Sequence, residues 1–268
     1  MAALTFTLKA APPERLDLSL LVPDKLKDLS AREIERLGIG TTPTGVVVGD
    51  LFTVSGTDLT DIRFAGGSDR FDGVGTGLKG ASLHVDGDVG AYLGRGMKSG
   101  KIVVAGSLTG PYGATAATGG VIRVTGNAAD ATAASIPGAM AGLAGATLII
   151  EGNAGDLLGD RLRRGVILVQ GSVGALAGAR MVGGTIISAA LGRRAGQGMK
   201  RGTLIAGTVE DIEPTFVFSG SYTEAFLPLL RRWVASEAGA GFAALVPQVA
   251  QRYRGDMASL GKGEILIG

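Results

Sequence analysis

The sequence predicts an all-β chain folded as a right-handed parallel β-helix, and three observations carry this prediction. Glycine supplies 46 of the 268 residues, while aromatic residues make up only 5%. A thirteen-residue unit of the form G-x-x-(M/L)-x-x-G-x-(I/L)-x-(V/I)-x-G recurs seven times. Its last two aliphatic positions lie two residues apart and therefore share one face of a strand. Tandem units that each form one short strand are typical of stacked solenoids.

The seven copies set the number and size of the predicted coils. They occupy residues 75–87, 94–106, 114–126, 140–152, 159–171, 178–190 and 196–208, and they begin 19, 20, 26, 19, 19 and 18 residues apart. A unit this short cannot hold a useful helix, because its many glycines disfavour helix formation. We therefore expect about seven coils of about 19 residues each, right-handed because parallel strand connections take that hand.

The fourth, ninth and eleventh positions of the unit are mostly aliphatic and are predicted to form columns in the interior. The ninth position holds Leu83, Ile102, Ile122, Leu148, Ile167, Ile186 and Leu204. Burying three aliphatic side chains stabilises one coil by about 5–9 kcal/mol, whereas ordering its residues costs on the order of 20–40 kcal/mol. One coil alone is therefore unstable, and the coils must stack and be capped at both ends.

The tenth position of the unit points away from the interior, yet it is also largely aliphatic. It holds His84, Val103, Arg123, Ile149, Leu168, Ile187 and Ile205. Aliphatic side chains that point outward from a sheet in this way are typical of sheets that are covered on both faces, because monomers rarely leave such a patch in contact with water. We expect the cover to be either a carboxy-terminal helix of this chain or another subunit.

The glycines of the unit are predicted to mark corners, where the chain needs a positive φ or a close approach of neighbouring backbones. The clearest copies place these structural glycines at Gly94, Gly100, Gly106, Gly159, Gly165 and Gly171. The sequence GTGLKG at residues 75–80 matches G-x-G-x-x-G, but it precedes a strand rather than a helix. It is therefore interpreted as part of the repeat and not as a dinucleotide-binding loop.

The repeats divide the chain into an N-terminal cap at residues 1–74, the β-helix at 75–208 and a C-terminal helical cap with a final strand at 209–268. The first segment is a small α/β unit, with strand-like runs at residues 4–8, 46–48 and 62–64 and a capping box between Ser30 and Glu33. The last segment is predicted to hold a helix that opens at Ser221 and contains Trp233, a second helix over residues 242–253 and a strand over 264–267.

The composition excludes several classes of protein. The chain has no cysteine and a single histidine, His84, so we expect no catalytic residue and no metal ligand. Its 26 basic and 24 acidic residues are too balanced to indicate nucleic acid as a partner. The charge-free stretches at residues 102–122 and 131–150 are rich in small residues and contain a proline each, so neither is predicted to span a membrane. The amino terminus does not resemble a signal peptide, and we expect a cytoplasmic protein.

Basic residues recur at the fifth position of the unit. This position holds Lys79, Lys98, Arg163 and Lys200, and Arg95, Arg161, Arg164, Arg180 and Arg201 lie nearby. Stacking would place these cations in a column along one edge. The column is either a solvated edge that resists aggregation or a site for an acidic partner or polyanionic ligand.

The tandem unit and the closing sequence GKGEIL at residues 261–266 resemble the C subunits of formylmethanofuran dehydrogenases and of the related bacterial formyltransferase/hydrolase complexes. The array is also similar to the C-terminal β-helix of glutamate synthase large subunits. Four residues, Ala114, Met140, Ala190 and Thr208, depart from the glycines of the unit. The absence of cysteine and the wealth of alanine and arginine favour the bacterial complex over the dehydrogenase.

The resemblance implies a non-catalytic scaffold subunit of a hetero-oligomer in one-carbon oxidation. In such a complex a formyl group passes from formyl-tetrahydromethanopterin to a methanofuran-type cofactor and is then hydrolysed to formate. The implied partners are formyltransferase, amidohydrolase-like and dehydrogenase B-like subunits. Because the cofactor carries a glutamate-rich tail, the resemblance makes Lys98, Arg163 and Lys200 candidate contacts for that tail.

Two alternatives stay open at this stage. In the dehydrogenase version, the partners would be tungsten or molybdenum and iron–sulfur subunits. A stand-alone polysaccharide-binding β-helix would instead carry a signal peptide, exposed aromatic platforms and clustered carboxylates, and the sequence shows none of these.

Overall fold

Each copy of the repeat forms one strand in the computed structural model, which describes residues 2–43, 45–223 and 225–268. The strands are β1 (Ala3–Leu8), β2 (Leu16–Asp17), β3 (Phe52–Ser55), β4 (Asp58–Ala65), β5 (Phe71–Asp72), β6 (Ala81–Val85), β7 (Gly100–Val104), β8 (Val121–Val124), β9 (Ala144–Ile150), β10 (Arg164–Val173), β11 (Thr185–Leu191), β12 (Arg201–Val209), β13 (Val217–Tyr222), β14 (Ala250–Gly255) and β15 (Lys262–Ile267). The helices are α1 (Pro23–Leu26), α2 (Ala31–Glu35), α3 (Val48–Leu51), α4 (Leu227–Ala238) and α5 (Ala240–Ala243).

Thirteen of these strands form one sheet, in the order β13-β14-β15-β12-β11-β10-β9-β8-β7-β6-β4-β1-β3. All neighbours from β1 to β15 in that order are parallel, while β3, β14 and β13 join antiparallel at the two ends. Strands β2 and β5 form a separate parallel pair. The protein is therefore mostly β, with one large, mostly parallel sheet and few helices.

The register of the sheet confirms the phase of the repeat. Leu83 on β6 lies opposite Ile102 on β7, and the same ninth position stays aligned through Leu204 on β12. Ile265 on β15 continues the row beyond the last repeat. These side chains are all buried, as are those of the fourth and eleventh positions, including Ser188. One continuous core thus runs through the array.

The repeats are also joined on a second side. Isolated parallel bridges link Val89, Leu108, Ala128, Ala154 and Val173 in succession. Side-chain oxygens add further rungs there, since the N–H of Asn153 donates to Asn127 Oδ1 at 2.8 Å and that of Ser172 to Asn153 Oδ1 at 2.9 Å. Successive repeats are therefore stacked along two ladders.

The corner glycines divide into two kinds. Gly94, Gly100, Gly159 and Gly165 have φ between +60° and +110°, a region that L side chains enter only at a cost. Gly106 and Gly171 have no positive φ, but an added Cβ would overlap Gly87 and the Asn153 carboxamide, respectively. Gly94, Gly106 and Gly159 lie outside the strands, whereas Gly100 begins β7 and Gly165 and Gly171 lie within β10 at the two places where its register with a neighbouring strand shifts. The last three therefore occupy strand positions rather than corners between strands.

The fourth copy of the repeat begins at a different residue from the one predicted. Its first position is held by Ala133, with φ +59° and an N–H that donates to Gly113 O at 2.7 Å. Gly159 has the same conformation one repeat later, whereas Met140 is 80% exposed. The extra residues between the third and fourth copies form a loop at 136–142, inserted within the unit, so Met140 is wrong as a repeat position.

The flanking segments confirm part of the prediction and correct the rest. Ser30 and Glu33 form the capping box of α2. The helix predicted to open at Ser221 begins only at Leu227, because residues up to Tyr222 belong to β13. The helix predicted over 242–253 is wrong, since α5 ends at Ala243 and β14 begins at Ala250. There, Pro247 interrupts any helix, and pairing with β15 outweighs the local helical pattern. Similarly, Val48 of the strand-like run at 46–48 begins α3.

The cover over the outer face of the sheet comes from this chain. Ile149, Leu168, Ile187 and Ile205 are at most 1% exposed and pack beneath α4 and α5. The contacting residues of the cover include Leu227, Val234, Phe242 and Val246. An open groove lined by Arg63, His84, Val103 and Arg123 lies on the outer face of β4, β6, β7 and β8, although Val121 on β8 packs against the cover. Within the described ranges, no helix combines the length and apolar character needed to cross a membrane.

Candidate functional site

The predicted basic residues lie in one column along an edge of the array. Each is placed by a backbone hydrogen bond to the preceding repeat: the N–H of Lys98 donates to Leu78 O at 2.9 Å, that of Arg163 to Leu143 O at 3.0 Å and that of Lys200 to Met181 O at 2.8 Å. All three basic side chains are exposed. The repeat therefore fixes the order of these three residues along the edge and places all of them on the same edge.

The column does not bring these three side chains to one point. Neighbouring strands lie about 4.8 Å apart, so Arg163 is about 14 Å from Lys98 along the column, with Thr118 and Ala144 between them. Lys200 lies about 10 Å beyond Arg163. A compact anion cannot contact all three cations, whereas an extended polyanion can.

The end of the column near the C-terminal strands is denser in cations than the sequence indicated. Arg164 begins β10, Arg201 begins β12, and Lys262 begins β15 directly opposite Arg201. We call the five residues Arg163, Arg164, Lys200, Arg201 and Lys262 the basic cluster. All five are exposed, and they span about 14 Å across the sheet.

Sequence reasoning missed Lys262 because it lies outside the seven copies. A signal was nevertheless present, since GKGEIL at 261–266 aligns with KRGTLI at 200–205, and the structure pairs Gly202 with Gly263. The turn before Lys262 is held by Asp256, which accepts hydrogen bonds from the N–H groups of Gly198 and Ala258, both at 2.8 Å.

The hydrogen bonds to Asp256 also shift its pKa. Burial acts to raise the pKa of the carboxyl, but hydrogen bonds from Gly198, Thr215 and Ala258 outweigh burial and lower it below its ordinary value. The carboxylate therefore stays ionised while it joins the turn before β15 to the last repeat.

A gap in the cluster provides room for an anion. Gly183 holds the sixth position of the copy that lies between the copies of Arg164 and Arg201. Two strand spacings therefore separate the two arginines, about 10 Å, with no side chain between them. Two guanidinium groups that flank such a gap can converge on one carboxylate or phosphate.

None of the five cations of the basic cluster has an ion-pair partner among the residues that the structure describes, 2–43, 45–223 and 225–268. The fifth and sixth positions of the seven copies contain no Asp or Glu. The cluster is thus a local excess of positive charge on a chain whose net charge is only +2.

Other arginines of the array are neutralised by carboxylates. Arg180 donates two hydrogen bonds of 2.8 Å to Asp160, whose side chain is 6% exposed. That hydrogen bonding, against the opposing effect of burial, raises the pKa of Arg180. Arg123 Nε likewise donates to Glu151 Oε1 at 2.7 Å. These pairs are structural contacts, and they make the unpaired cluster distinct.

An open groove of about 630 Å³ lies on the uncovered outer face of the sheet. His84 lines it, with Nε2 at 3.5 Å from Asp86 Oδ1, and Arg63 lies there with Nη2 at 2.9 Å from Asp61. Among the described residues no group of three or more His, Asp or Glu side chains could hold a metal ion. Lys101 and Arg123 also line the groove. Arg123 is paired with Glu151, which leaves Lys101 as the lining cation without an ion-pair partner among the described residues. The groove therefore holds fewer unpaired cations than the basic cluster.

Comparison with known proteins decides the family. No family model matches the chain. The C subunit of the formyltransferase/hydrolase complex Fhc from Methylorubrum extorquens is 47% identical over 264 residues, which cover 98% of each chain. The chain belongs to the family of Fhc C subunits. A chain in the X-ray crystal structure of the FhcABCD complex from Methylorubrum extorquens, solved with methylofuran, is 45% identical, matches over 98% of each chain and has a TM-score of 0.93.

Membership of the Fhc family bears on the two alternatives that the sequence leaves open, a dehydrogenase subunit and a polysaccharide-binding β-helix. The matching proteins come from a formyltransferase/hydrolase complex, rather than from a dehydrogenase or a polysaccharide-binding protein. On this member of the Fhc family, the basic cluster is the surface whose geometry and charge best suit an extended anion.

Proposed function

We propose that this chain is the scaffold subunit of a cytoplasmic formyltransferase/hydrolase complex. In that complex a formyl group passes from formyl-tetrahydromethanopterin to a methanofuran-type cofactor and is hydrolysed to formate. The observation that carries the proposal is the 47% identity to the Fhc C subunit over 98% of both chains. The chain contributes position rather than a reacting group, and the formyltransferase, amidohydrolase-like and dehydrogenase B-like subunits contribute the chemistry.

The scaffold is proposed to be a right-handed parallel β-helix of about seven coils, one for each repeat. The alignment of the ninth position from β6 to β12 and the second ladder of bridges support this architecture. Residues 1–74 and 209–268 act as its caps. Strands β1, β3 and β4 extend one end of the sheet and β13, β14 and β15 extend the other, which protects the end coils from water and from aggregation.

The basic cluster is proposed to hold the glutamate-rich tail of the cofactor. Arg164 and Arg201 would share one carboxylate across Gly183, while Arg163, Lys200 and Lys262 would hold neighbouring carboxylates. Lys98 lies about 14 Å further along the edge and would contact only a longer tail. Several weak, exposed contacts add up along a polyanion, and the resulting attraction weakens as salt is added.

Assembly is tested by expressing a tagged form of the chain together with the other three subunits and purifying it. The proposal predicts a stoichiometric complex that produces formate from formyl-tetrahydromethanopterin. If the tagged chain is recovered alone under conditions where the other subunits are folded, the proposed function is wrong.

The tail contact is tested in the assembled complex with the triple variant Arg164→Glu, Arg201→Glu and Lys262→Glu. We expect the KM for the methanofuran-type cofactor to rise at least about tenfold, since two or three charge-assisted contacts are lost, while kcat at saturation stays unchanged. The matched control reverses three exposed cations of the N-terminal segment, Lys25, Lys27 and Arg32.

The fifth-position cations of the repeat provide a second variant, Lys98→Glu, Arg163→Glu and Lys200→Glu, measured in the same assay. If neither triple variant alters assembly, cofactor affinity or formate production, the basic edge is a solvated surface. An equal loss in the N-terminal control would attribute the effect to net charge rather than to the cluster.

A further inference from the structure

Side chains stack in a column along one corner of the repeats. The residues of this column lie two positions before the first residue of their copies, and their φ angles all fall between +55° and +61°. They are Tyr92, Tyr112, Ala131, Leu157, Leu176 and Arg194. Because their backbones have the same conformation, their side chains point in the same direction. The rings of Tyr92 and Tyr112 accordingly stack, with centroids 5.8 Å apart and an angle of 18° between the ring planes.

Ala131 interrupts this column and leaves a slot. Successive repeats lie about 4.8 Å apart, so Tyr112 and Leu157 are about 10 Å apart along the column, and Ala131 contributes a methyl group between them. A flat ring needs about 3.5–4 Å on each side to contact its neighbours. Tyr112, Ala131 and Leu157 line one cavity of about 250 Å³. The slot therefore admits one flat ring that contacts both Tyr112 and Leu157.

The inserted loop at 136–142 completes the walls of this cavity. Ile136, Pro137 and Ala139 of the loop line it. The loop is held to the repeats by backbone hydrogen bonds, since the N–H of Gly142 donates to Arg161 O at 3.1 Å. Small-molecule sites are typically concave and mostly apolar, with a few polar groups that orient the ligand. The loop and the column together provide a cavity of that kind.

Arg161 supplies an unneutralised charge at this cavity. The charged residues that line it are Asp160, Arg161 and Arg180. Both carboxylate oxygens of Asp160 accept hydrogen bonds from Arg180. In the part of the chain that the structure describes, half-buried Arg161 has no ion-pair partner. Its Nη1 lies 3.8 Å from Met140 Sδ, which is a weak acceptor. The guanidinium of Arg161 is therefore available to an anion.

We propose that this slot binds a small planar anion, an aromatic ring with a carboxylate, that stacks on Tyr112 and pairs with Arg161. Stacking on a tyrosine face and a charge-assisted hydrogen bond to a guanidinium favour this class of ligand. The carboxylates that precede the column residues, Asp130 and Asp156, accept backbone N–H groups of the next repeat and do not line the cavity. The proposal does not depend on the proposed function, because the free chain contains the whole slot.

The test titrates the purified full-length chain with 2-naphthoate and with the neutral 2-naphthamide. Binding is followed by NMR through the methyl groups of Ala131 and Ala134, which both line the cavity. The first variant, Ala131→Leu, fills the slot with the residue that the column holds at Leu157 and Leu176 with φ +60° and +61°, so the backbone accepts it. Ala235→Leu, the same change at an exposed position of α4, is its matched control.

A second variant, Arg161→Met, removes the cation, and Arg193→Met, at an exposed arginine that does not line the cavity, is its control. We expect 2-naphthoate to bind the wild type with a Kd of about 1 mM or tighter, as a ligand of its size can. Ala131→Leu and Arg161→Met should each weaken its binding at least about tenfold, through the filled slot and the lost charged hydrogen bonds. The two controls should bind like the wild type.

The neutral probe separates charge from shape. We expect 2-naphthamide to bind the wild type at least about tenfold more weakly than 2-naphthoate, and Arg161→Met to leave its binding unchanged. No saturable shift with 2-naphthoate up to about 10 mM, or wild-type affinity in Ala131→Leu, would overturn the proposal. Equal affinities of the wild type for the two probes would overturn the anionic class. If the methyl signals of Ala131 and Ala134 respond to the assembled complex but to neither probe, the slot belongs to a side chain of another subunit and the proposal is wrong.

Discussion

The clearest stability prediction concerns the intrachain cover of the outer sheet face. Ile187 on β11 is fully buried beneath α4 and α5. Ile187→Ala removes three carbon atoms, which is worth about 2.4 kcal/mol at about 0.8 kcal/mol each. The remaining cavity adds to that loss, so we expect a decrease of about 2.5–4 kcal/mol in the free energy of unfolding.

The assay is urea unfolding of the purified full-length chain, followed by circular dichroism. With a slope of about 3 kcal/mol/M, the midpoint should fall by about 1 M. Val103→Ala is the matched control, because Val103 occupies the same tenth position on β7 but lies in the open groove. Its midpoint should fall by less than about 0.3 M, in keeping with a partly exposed side chain. If both variants shift the midpoint equally, a partner subunit rather than α4 is needed to cover this face, and the reasoning is refuted.

Three further predictions concern the corners and the buried carboxylates, and urea unfolding tests each of them. Gly106→Ala should lower the free energy of unfolding by about 2–3 kcal/mol, because the added Cβ meets the backbone of the preceding repeat. Ala116 has a φ of +54°, so Ala116→Gly should raise the free energy of unfolding by about 0.5–1 kcal/mol. Equal effects of the two would contradict the assigned corner geometry. Arg180→Met should cost about 1.5 kcal/mol, since it leaves the buried Asp160 without its main donor, and no change would show that this pair is only a surface contact. Asp256 has a lowered pKa, so its stabilisation is present above its ordinary pKa of about 3.9 and is lost as the pH falls toward the folded value. The stability advantage of the wild type over Asp256→Asn should therefore shrink between about pH 5 and pH 3, and an advantage that grows over this range would contradict the assignment.

The sequence was sufficient to predict one strand in each repeat and to predict which side chains of that strand point into the interior. The two-residue period places Leu83 and its equivalents inside, and seven copies leave little choice of register. The same pattern showed that the outer face needs a cover. It could not show which element supplies that cover, because the contact between α4 and Ile187 is between distant parts of the chain.

The errors have local physical causes. Met140 fits a fixed thirteen-residue window, but the inserted loop at 136–142 falls inside the unit and only hydrogen bonding reveals that Ala133 takes the first position. The sequence over 242–253 has helical periodicity, yet pairing of β14 with β15 determines its conformation. Tertiary pairing of this kind regularly overrides local preference.

The basic site was only partly predictable for a similar reason. The column of Lys98, Arg163 and Lys200 follows from the repeat, whereas its distances follow from the order of the strands. Lys262 joins the cluster only because β15 extends the sheet beside β12. The sequence also could not show which arginines are neutralised by carboxylates. The ion pair of Arg180 with Asp160, for example, is seen only in the folded structure.

The central claim is that this chain is a scaffold on which other subunits perform formyl transfer and hydrolysis. The most direct measurement is formate production from formyl-tetrahydromethanopterin by the other three subunits, purified together with and without this chain. We expect the set without it to lose assembly and most of its formate production, and added purified chain to restore both. Equal formate production by the two sets would contradict the claim.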